Sequence, residues 1–347
     1  MDAEPVDAAP AESVEVAAVQ ERYARFAREE APARSALYAA WASGVAEDPG
    51  IAGILARIPA VRRQPPLVFA VSRLLGAPLA GFAEWAGWVR AHAEALVEET
   101  GRRSLQTNEP LRCAALLPAL ALIDGPVALL ELGASAGLCL YPDRYSYRYD
   151  RDGETIAVDP VGGASRVVLR SELEGDLRLR MPRVGWRGGI DLAPRDAADP
   201  EDRRFLETLV WPGEEGRAAR IRAALDIARD DPLTLLRGDA SDPAVLARAV
   251  SLVPEELTLV VTTPGVLPHV PRAGRERIVE TLSRGEIAGR PLRWITIDPR
   301  ELHGAWRGPV SAEAEGFVLA LDAEPLATVD PLGARVVWHR GSGAPRG

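Results

Sequence analysis

The run most able to do chemistry is VALLELGASAGL, from Val127 to Leu138. An apolar strand carries one acidic residue, Glu131, to its end, and a turn of small residues follows that opens a helix. Glycine and alanine in such a turn let backbone N–H groups and a helix N-terminus approach a ligand closely. Two chemistries share these letters. GASAG, Gly133 to Gly137, fits the G-x-S-x-G nucleophile elbow, with Ser135 as a hydrolase nucleophile, Asp239 or Asp298 as the acid and His303 or His339 as the base. Against this, about 110 residues of helical pattern precede the run, with no strand and no glycine-rich oxyanion motif. A dinucleotide loop would read G-x-G-x-x-G. Counted from Gly133, its second and third glycine positions hold Ser135 and Leu138, and the leucine opposes close helix–strand packing.

Two differently patterned parts of the chain must position this run. Residues 1–14 read as a disordered tail, 15–124 as a helical N-terminal domain, and 125–347 as an α/β domain. In the helical part, Val16, Val19, Tyr23 and Phe26 share a face, and Asp48 caps a helix with Pro49 at its first position. A further helix runs from near Pro66 to Gly76. One long helix is expected to carry Phe82, Trp85, Val89, His92 and Leu96, with His92 as a hydrogen-bonded histidine at the core's edge. The last helix, LRCAALLPALALI, follows the linker RRSLQTNEP. There Asn108, the chain's one asparagine, reads either as a helix N-cap or, with Gln106, Thr107, Glu109 and Arg112, as a polar cluster beside the loop.

After Asp124, strand patterns (Val127–Glu131, Gly189–Leu192, Leu233–Gly238, Thr258–Thr263, Leu292–Ile297) alternate with helical ones (Glu201–Val210, Glu214–Arg229, Pro243–Leu252, Arg272–Arg284). Such alternation predicts a mostly parallel sheet covered on both faces. GFVLALD and ARVVWHR flank a DPLG turn signal and read as an antiparallel hairpin closing one edge. A β-rich insertion at about 141–188 interrupts the alternation. Its Tyr145, Tyr147 and Tyr149 point to one side of an extended chain, as an amphipathic hairpin face or as an aromatic wall beside a substrate.

Composition narrows the classes. The 347 residues carry a net charge of −9, which argues against a nonspecific nucleic-acid binder; all 41 basic residues are arginine, a composition that with so much Ala, Pro and Gly reflects a GC-rich genome more than function. No run is long and apolar enough to span a membrane, and the acidic N-terminus lacks signal-peptide features. Cys113 and Cys139 lie outside any metal or CxxC spacing, so a reduced cytoplasmic protein without a structural metal is expected.

Glu131-x-Gly133-x-Ser135-x-Gly137 resembles the E/D-x-G-x-G-x-G first motif of class I S-adenosylmethionine-dependent methyltransferases, with serine at the middle glycine. The resemblance implies a Rossmann-like sheet that begins with this strand and ends in an antiparallel hairpin. It places the methionine part of the cofactor against Gly133, Ala134, Ser135 and Gly137, with Glu131 reaching the amino group. It further implies Asp191 at the ribose and Asp239, with Ala240, at the adenine. Thr262 and Thr263 would lie beside the methyl group, with His269 as a candidate base. Arg62, Arg63, Gln64, Asn108, Glu109, Arg112 and Tyr145 would line the site of a small-molecule acceptor, where arginines suit a carboxylate or phosphate. A non-catalytic binding protein of the same fold is the alternative. RRQPPL, QTNEPLRCA, LLELGASAGL, DRYSY, GGIDLAP, LVWP and LRGDA together resemble an uncharacterised bacterial family of unknown function, except that Cys139 stands where asparagine is expected.

Overall fold

The computed structural model describes residues 9–309 and 316–339. The chain divides into two compact units: residues up to Thr107 together with Asp199–Ala219, and Asn108–Ala198 together with the chain from Arg220 onward.

The first unit is helical: α1 (Ala9–Glu29), α2 (Ala36–Glu47), α3 (Pro49–Ala56), α4 (Pro65–Leu74), α5 (Phe82–Ala91) and α6 (Ala93–Arg102). Of the tail expected over residues 1–14, the first eight lie outside the described residues, and the chain from Ala9 belongs to α1. Asp48 caps α3 by accepting from the Gly50 and Ile51 amides, with Pro49 following. The single helix expected through His92 is broken there into α5 and α6, because His92 leaves helical geometry at φ −124°. Its ring stacks on Trp88 and bonds the Trp88 carbonyl at 2.9 Å.

Aromatic rings fill this unit's core. Trp41 stacks on Trp85 with centroids 5.1 Å apart, and Phe69 meets both of them edge-on. After α7 (Arg112–Leu120), which belongs to the second unit, α8 (Pro200–Thr208) returns to the first and brings Phe205 and Trp211 into this core. Arg73 fixes the return segment by donating from Nη1 to the Thr208 and Val210 carbonyls at 2.8 and 2.7 Å.

The second unit is built on a sheet. Its strands are β1 (Pro126–Leu132), β2 (Ser146–Arg151), β3 (Glu154–Val158), β4 (Val168–Glu174), β5 (Arg183–Asp191), β6 (Thr234–Arg237), β7 (Thr258–Pro264), β8 (Glu286–Ile287), β9 (Arg290–Pro299), β10 (Phe317–Leu321), β11 (Glu324–Val329) and β12 (Arg335–Trp338). They run in the order β3-β2-β4-β12-β11-β10-β9-β7-β1-β5-β6, with β8 paired to the start of β9. With α9 (Glu215–Asp230), α10 (Pro243–Val250) and α11 (Arg272–Ser283), the described residues make a mixed α/β protein with a twelve-strand, mostly parallel sheet and eleven helices. Ala128, Leu130 and Leu132 of β1 pack with Leu259, Val261 and Trp294 against the apolar stripes of α10 and α11. Among the described residues no helix is long and apolar enough to cross a membrane.

Two sequence expectations need correction. The hairpin expected between GFVLALD and ARVVWHR is a three-strand meander, because Glu324–Val329 supplies an intervening strand that pairs with both neighbours. Nor does it close an edge: β12 pairs in parallel with β4, so the insertion's strands continue the same sheet. The helix expected after the glycine turn is also missing. Gly137 leads into a three-residue 3-10 turn, Leu138–Leu140, and a second one at Pro142–Arg144. Pro142 has no N–H, and its ring would clash with the Leu138 carbonyl in an α-helix.

A substitution in the aromatic core measures how much of the helical unit's stability it supplies. Trp41→Ala is expected to destabilise that unit by about 3–5 kcal/mol, read as a lowered urea midpoint for loss of far-ultraviolet circular dichroism.

Candidate functional site

The parallel strands place their carboxyl ends together. From β1 the chain goes on to β5 and β6 on one side, whereas β7 and β9 lie on the other. In open α/β sheets this reversal of strand order leaves a crevice beyond the strand ends, where ligands bind. Register brings Glu131 opposite Thr262 of β7 and Gly189 of β5.

The turn beyond β1 is wound tightly and held from inside the unit. Gly133, Ser135 and Gly137 all take positive φ, +74°, +52° and +70°. For serine that conformation is strained and needs support from its surroundings. Two side chains provide it. Asn108 donates from Nδ2 to Ser135 Oγ at 2.5 Å, and its Oδ1 accepts from the Ala136 amide at 3.1 Å. Asp191 accepts from the Ser135 amide at 2.8 Å with one oxygen and from the Ala193 amide at 2.7 Å with the other. Asn108 therefore clasps the turn and caps no helix; the residue before α7 is Leu111, whose own side chain makes no capping bond.

Every amide of this turn is used internally. Gly133 and Ala134 donate to the Ile190 carbonyl, and Gly137 donates to that of Ala134. The glycines make room for packing: a Cβ on Gly133 would stand 2.2 Å from Val266, and one on Gly189 would stand 2.3 Å from the Ala134 methyl. No amide is left to cradle a phosphate. The Ala136 amide that would form an oxyanion hole behind Ser135 is occupied by Asn108. Of the histidines considered as base, His303 lies 3.4 Å from Asp298 and accepts from the Ala305 amide on its other nitrogen, and His339 bonds Thr328.

Three charged or titratable groups face different circumstances. Glu131 is 5 % exposed, and its Oε2 is buried without a hydrogen-bond partner among the described residues. Burial, more than any other cause, raises its pKa well above the ordinary 4.5; the neighbouring Cys139 and Asp191 add to the rise and Arg112 opposes it. Arg112 opens α7, is 9 % exposed, and donates from Nε to the Pro331 carbonyl at 3.0 Å. Its guanidinium lies against Gly265, 3.1 Å from where a Cβ would stand. His269 ends a 3-10 turn after β7; partial burial and then Arg112 hold its imidazole below the ordinary pKa, so it is mostly neutral at pH 7.

The remaining predicted residues divide. Thr262 is at the tip of β7 and buried. Thr263 faces the sheet's other side, where its hydroxyl accepts from Trp294 at 2.9 Å and donates to Thr296 at 2.8 Å, so it is a core residue. Glu109 is fully buried and pairs with Arg220 at 2.9 Å while capping the Leu111 amide. Tyr145 does not line a site: it is fully buried and donates to the Leu138 carbonyl at 2.7 Å, as Tyr147 and Tyr149 do to Pro142 and Ala114. Asp239 is exposed at the end of β6 and caps the Ser241 amide, with Ala240 beside it. Arg62, Arg63 and Gln64 belong to the helical unit, where Arg63 bonds the Ala56 carbonyl and Glu15. Cys139 is buried, with its thiol on the Glu109 carbonyl and its own carbonyl receiving Cys113. Val266 and Pro331, which shape the crevice, carried no sequence signal, since an apolar loop residue and a turn carbonyl look ordinary in any chain.

A groove of about 800 Å³ lies at the opposite, amino ends of β1 and β5. Within it Arg144 pairs with Asp231 and Arg166 with Asp230, and its place at the amino ends sets it apart from the strand-tip cluster. Among the described residues no three of His, Cys, Asp and Glu gather as metal ligands.

Residues 20–338 match the model of the family described as "uncharacterized protein conserved in bacteria (DUF2332)", and the chain belongs to that family. Neither the curated proteins nor the solved structures contain a match.

The raised pKa of Glu131 gives a pH test. The folded state holds a proton on this carboxyl that the unfolded chain releases near pH 4.5, so stability falls as pH rises above that value. Glu131→Gln removes the linkage. Its melting temperature is expected to exceed that of the wild type by a margin that grows as pH rises above 4.5; a constant margin would contradict the burial of this carboxyl.

Proposed function

Starting from a family with no assigned activity, we propose that the sheet unit binds S-adenosylmethionine at the carboxyl ends of β1 and β7 and serves transfer of its methyl group to a small-molecule acceptor, the demethylated thioether being the product that leaves. The observation that carries this reading is Glu131: a buried carboxyl with an unpartnered oxygen, set at the reversal of strand order. Burying such a group unpaired is costly, and a ligand ammonium would relieve the cost.

The residues fit one end of that cofactor better than the other. Glu131 is suited to the methionine amino group. Asp191, expected at the ribose, has both oxygens committed to backbone amides, so its part is to hold the turn, and the outward-facing acid at these strand ends is Asp239. With Val266 packed over Gly133, Glu131 offers the polar contact in place of the glycine backbone.

The sulfonium group, when bound, supplies an electrophilic methyl. The chain's contribution is to hold and orient, and much of the acceleration in such a transfer comes from positioning. His269 is mostly neutral at pH 7 and free of side-chain hydrogen bonds among the described residues, so it can accept the proton of an acceptor hydroxyl or amine. The second reading, a non-catalytic binding protein, is favoured by the internal use of every turn amide and by the locked Thr263 hydroxyl, which leave His269 as the sole proton acceptor among the candidates.

Calorimetric titration of the intact chain with S-adenosylmethionine and with its demethylated product tests the assignment. Both are expected to bind, and Glu131→Gln is expected to weaken both by about tenfold or more, the usual worth of a hydrogen bond to a charged group. Absence of binding by either compound would end the cofactor reading.

A further inference from the structure

Arg112 is an unusual partner for Glu131. A guanidinium keeps its charge under all ordinary conditions, and a buried one without an anion is expensive. Arg112 is nonetheless 9 % exposed, and its one hydrogen bond to the described residues is from Nε to the Pro331 carbonyl. No carboxylate pairs with it among those residues. The Pro331 contact anchors one edge of the guanidinium, leaving Nη1 and Nη2 over Gly265 at the tip of β7, the strand beside Glu131. Gly265 has no side chain and a φ of +72°, so any larger residue there would be strained and would press on the guanidinium.

An acidic and a basic group thus stand at adjacent strand tips, each with bonding capacity that the described residues leave unused and neither bonded to the other. A simple cation would satisfy Glu131 and leave Arg112 uncompensated; a simple anion would do the reverse. A ligand carrying both charges on neighbouring atoms satisfies both.

We propose that Glu131 and Arg112 form a receptor for an α-amino-carboxylate group, with the Arg112 fork taking the carboxylate and Glu131 the ammonium. This deepens the reading above and rests on the same site, but two sources supply that group: the methionine end of S-adenosylmethionine, or a free amino acid. Arg112 is then a specificity-determining residue that separates carboxylated from decarboxylated ligands.

The test is titration calorimetry on the intact chain with three probes: S-adenosylmethionine, decarboxylated S-adenosylmethionine and L-methionine. Wild type, Arg112→Met, Arg112→Lys and Glu131→Gln are compared, with thermal melts to verify folding. Decarboxylation is expected to weaken binding by about tenfold or more. Arg112→Met should bring S-adenosylmethionine down to the affinity of its decarboxylated form, and Arg112→Lys should restore part of the loss, since an ammonium lacks the planar fork. Should Arg112→Met fail to fold, the wild-type comparison of the two S-adenosylmethionine forms and the lysine variant still decide.

Equal binding of both forms, unchanged in the Arg112 variants, would overturn the receptor and leave the cofactor reading standing. Arg112-dependent binding of L-methionine with none of S-adenosylmethionine would do the opposite. No binding by any probe would overturn both.

Discussion

A carboxyl group taken out of water without a partner works against folding, and the rest of the strand-tip cluster is arranged around that cost. Glu131 sits at the end of the central parallel strand, where its oxygen faces neither solvent nor a donor. A protein of marginal stability keeps such a group where something besides folding needs it. Its neighbours do not neutralise it. Cys139 and Asp191 raise the energy of the ionised form, and Arg112 influences it from a distance without an ion pair. Among the described residues nothing complements the buried oxygen, and the ligand proposed above would do so.

Rigidity around Glu131 comes from a different set of bonds. The turn that follows is strained at Ser135 and is kept in place by Asn108 and Asp191, from α7's approach and from β5. Those bonds consume all the donors that a glycine-rich turn would otherwise present to a ligand. The glycines here serve close packing of Val266 and Ala134. For the proposed ligand, recognition would then rest on side chains and not on the backbone, which favours discrimination by charge over general anion binding.

Much of the sheet was legible because its strands are apolar and bounded by caps and turns. β1, β6, β7 and β9 follow from periodicity, and α8 and α10 from their Asp-Pro starts. What the letters hid were choices made by distant contacts. β11 escaped because Glu324 and Pro325 interrupt its apolar pattern, although its edges pair on both sides. Tyr145 can be read as an amphipathic hairpin face or as an aromatic wall beside a substrate, and a tyrosine can bury its ring if its hydroxyl finds a carbonyl, which Leu138 supplies. Asn108 reads either as a cap or as part of a polar cluster beside the loop; it lies beside the loop, and no local rule indicates that its amide bonds a turn 27 residues on. Glu131 was legible by position, while its isolation was not, since a missing partner has no sequence signature.

The central claim is that Glu131 is a buried carboxyl whose complement is a ligand. Carbon-13 NMR of glutamate-labelled protein, with Glu131→Gln to assign the resonance, reads its ionisation directly. In the ligand-free protein its side-chain carboxyl is expected to titrate with a midpoint well above the ordinary 4.5. A midpoint near 4.5 would show a solvated or already paired carboxylate and contradict it.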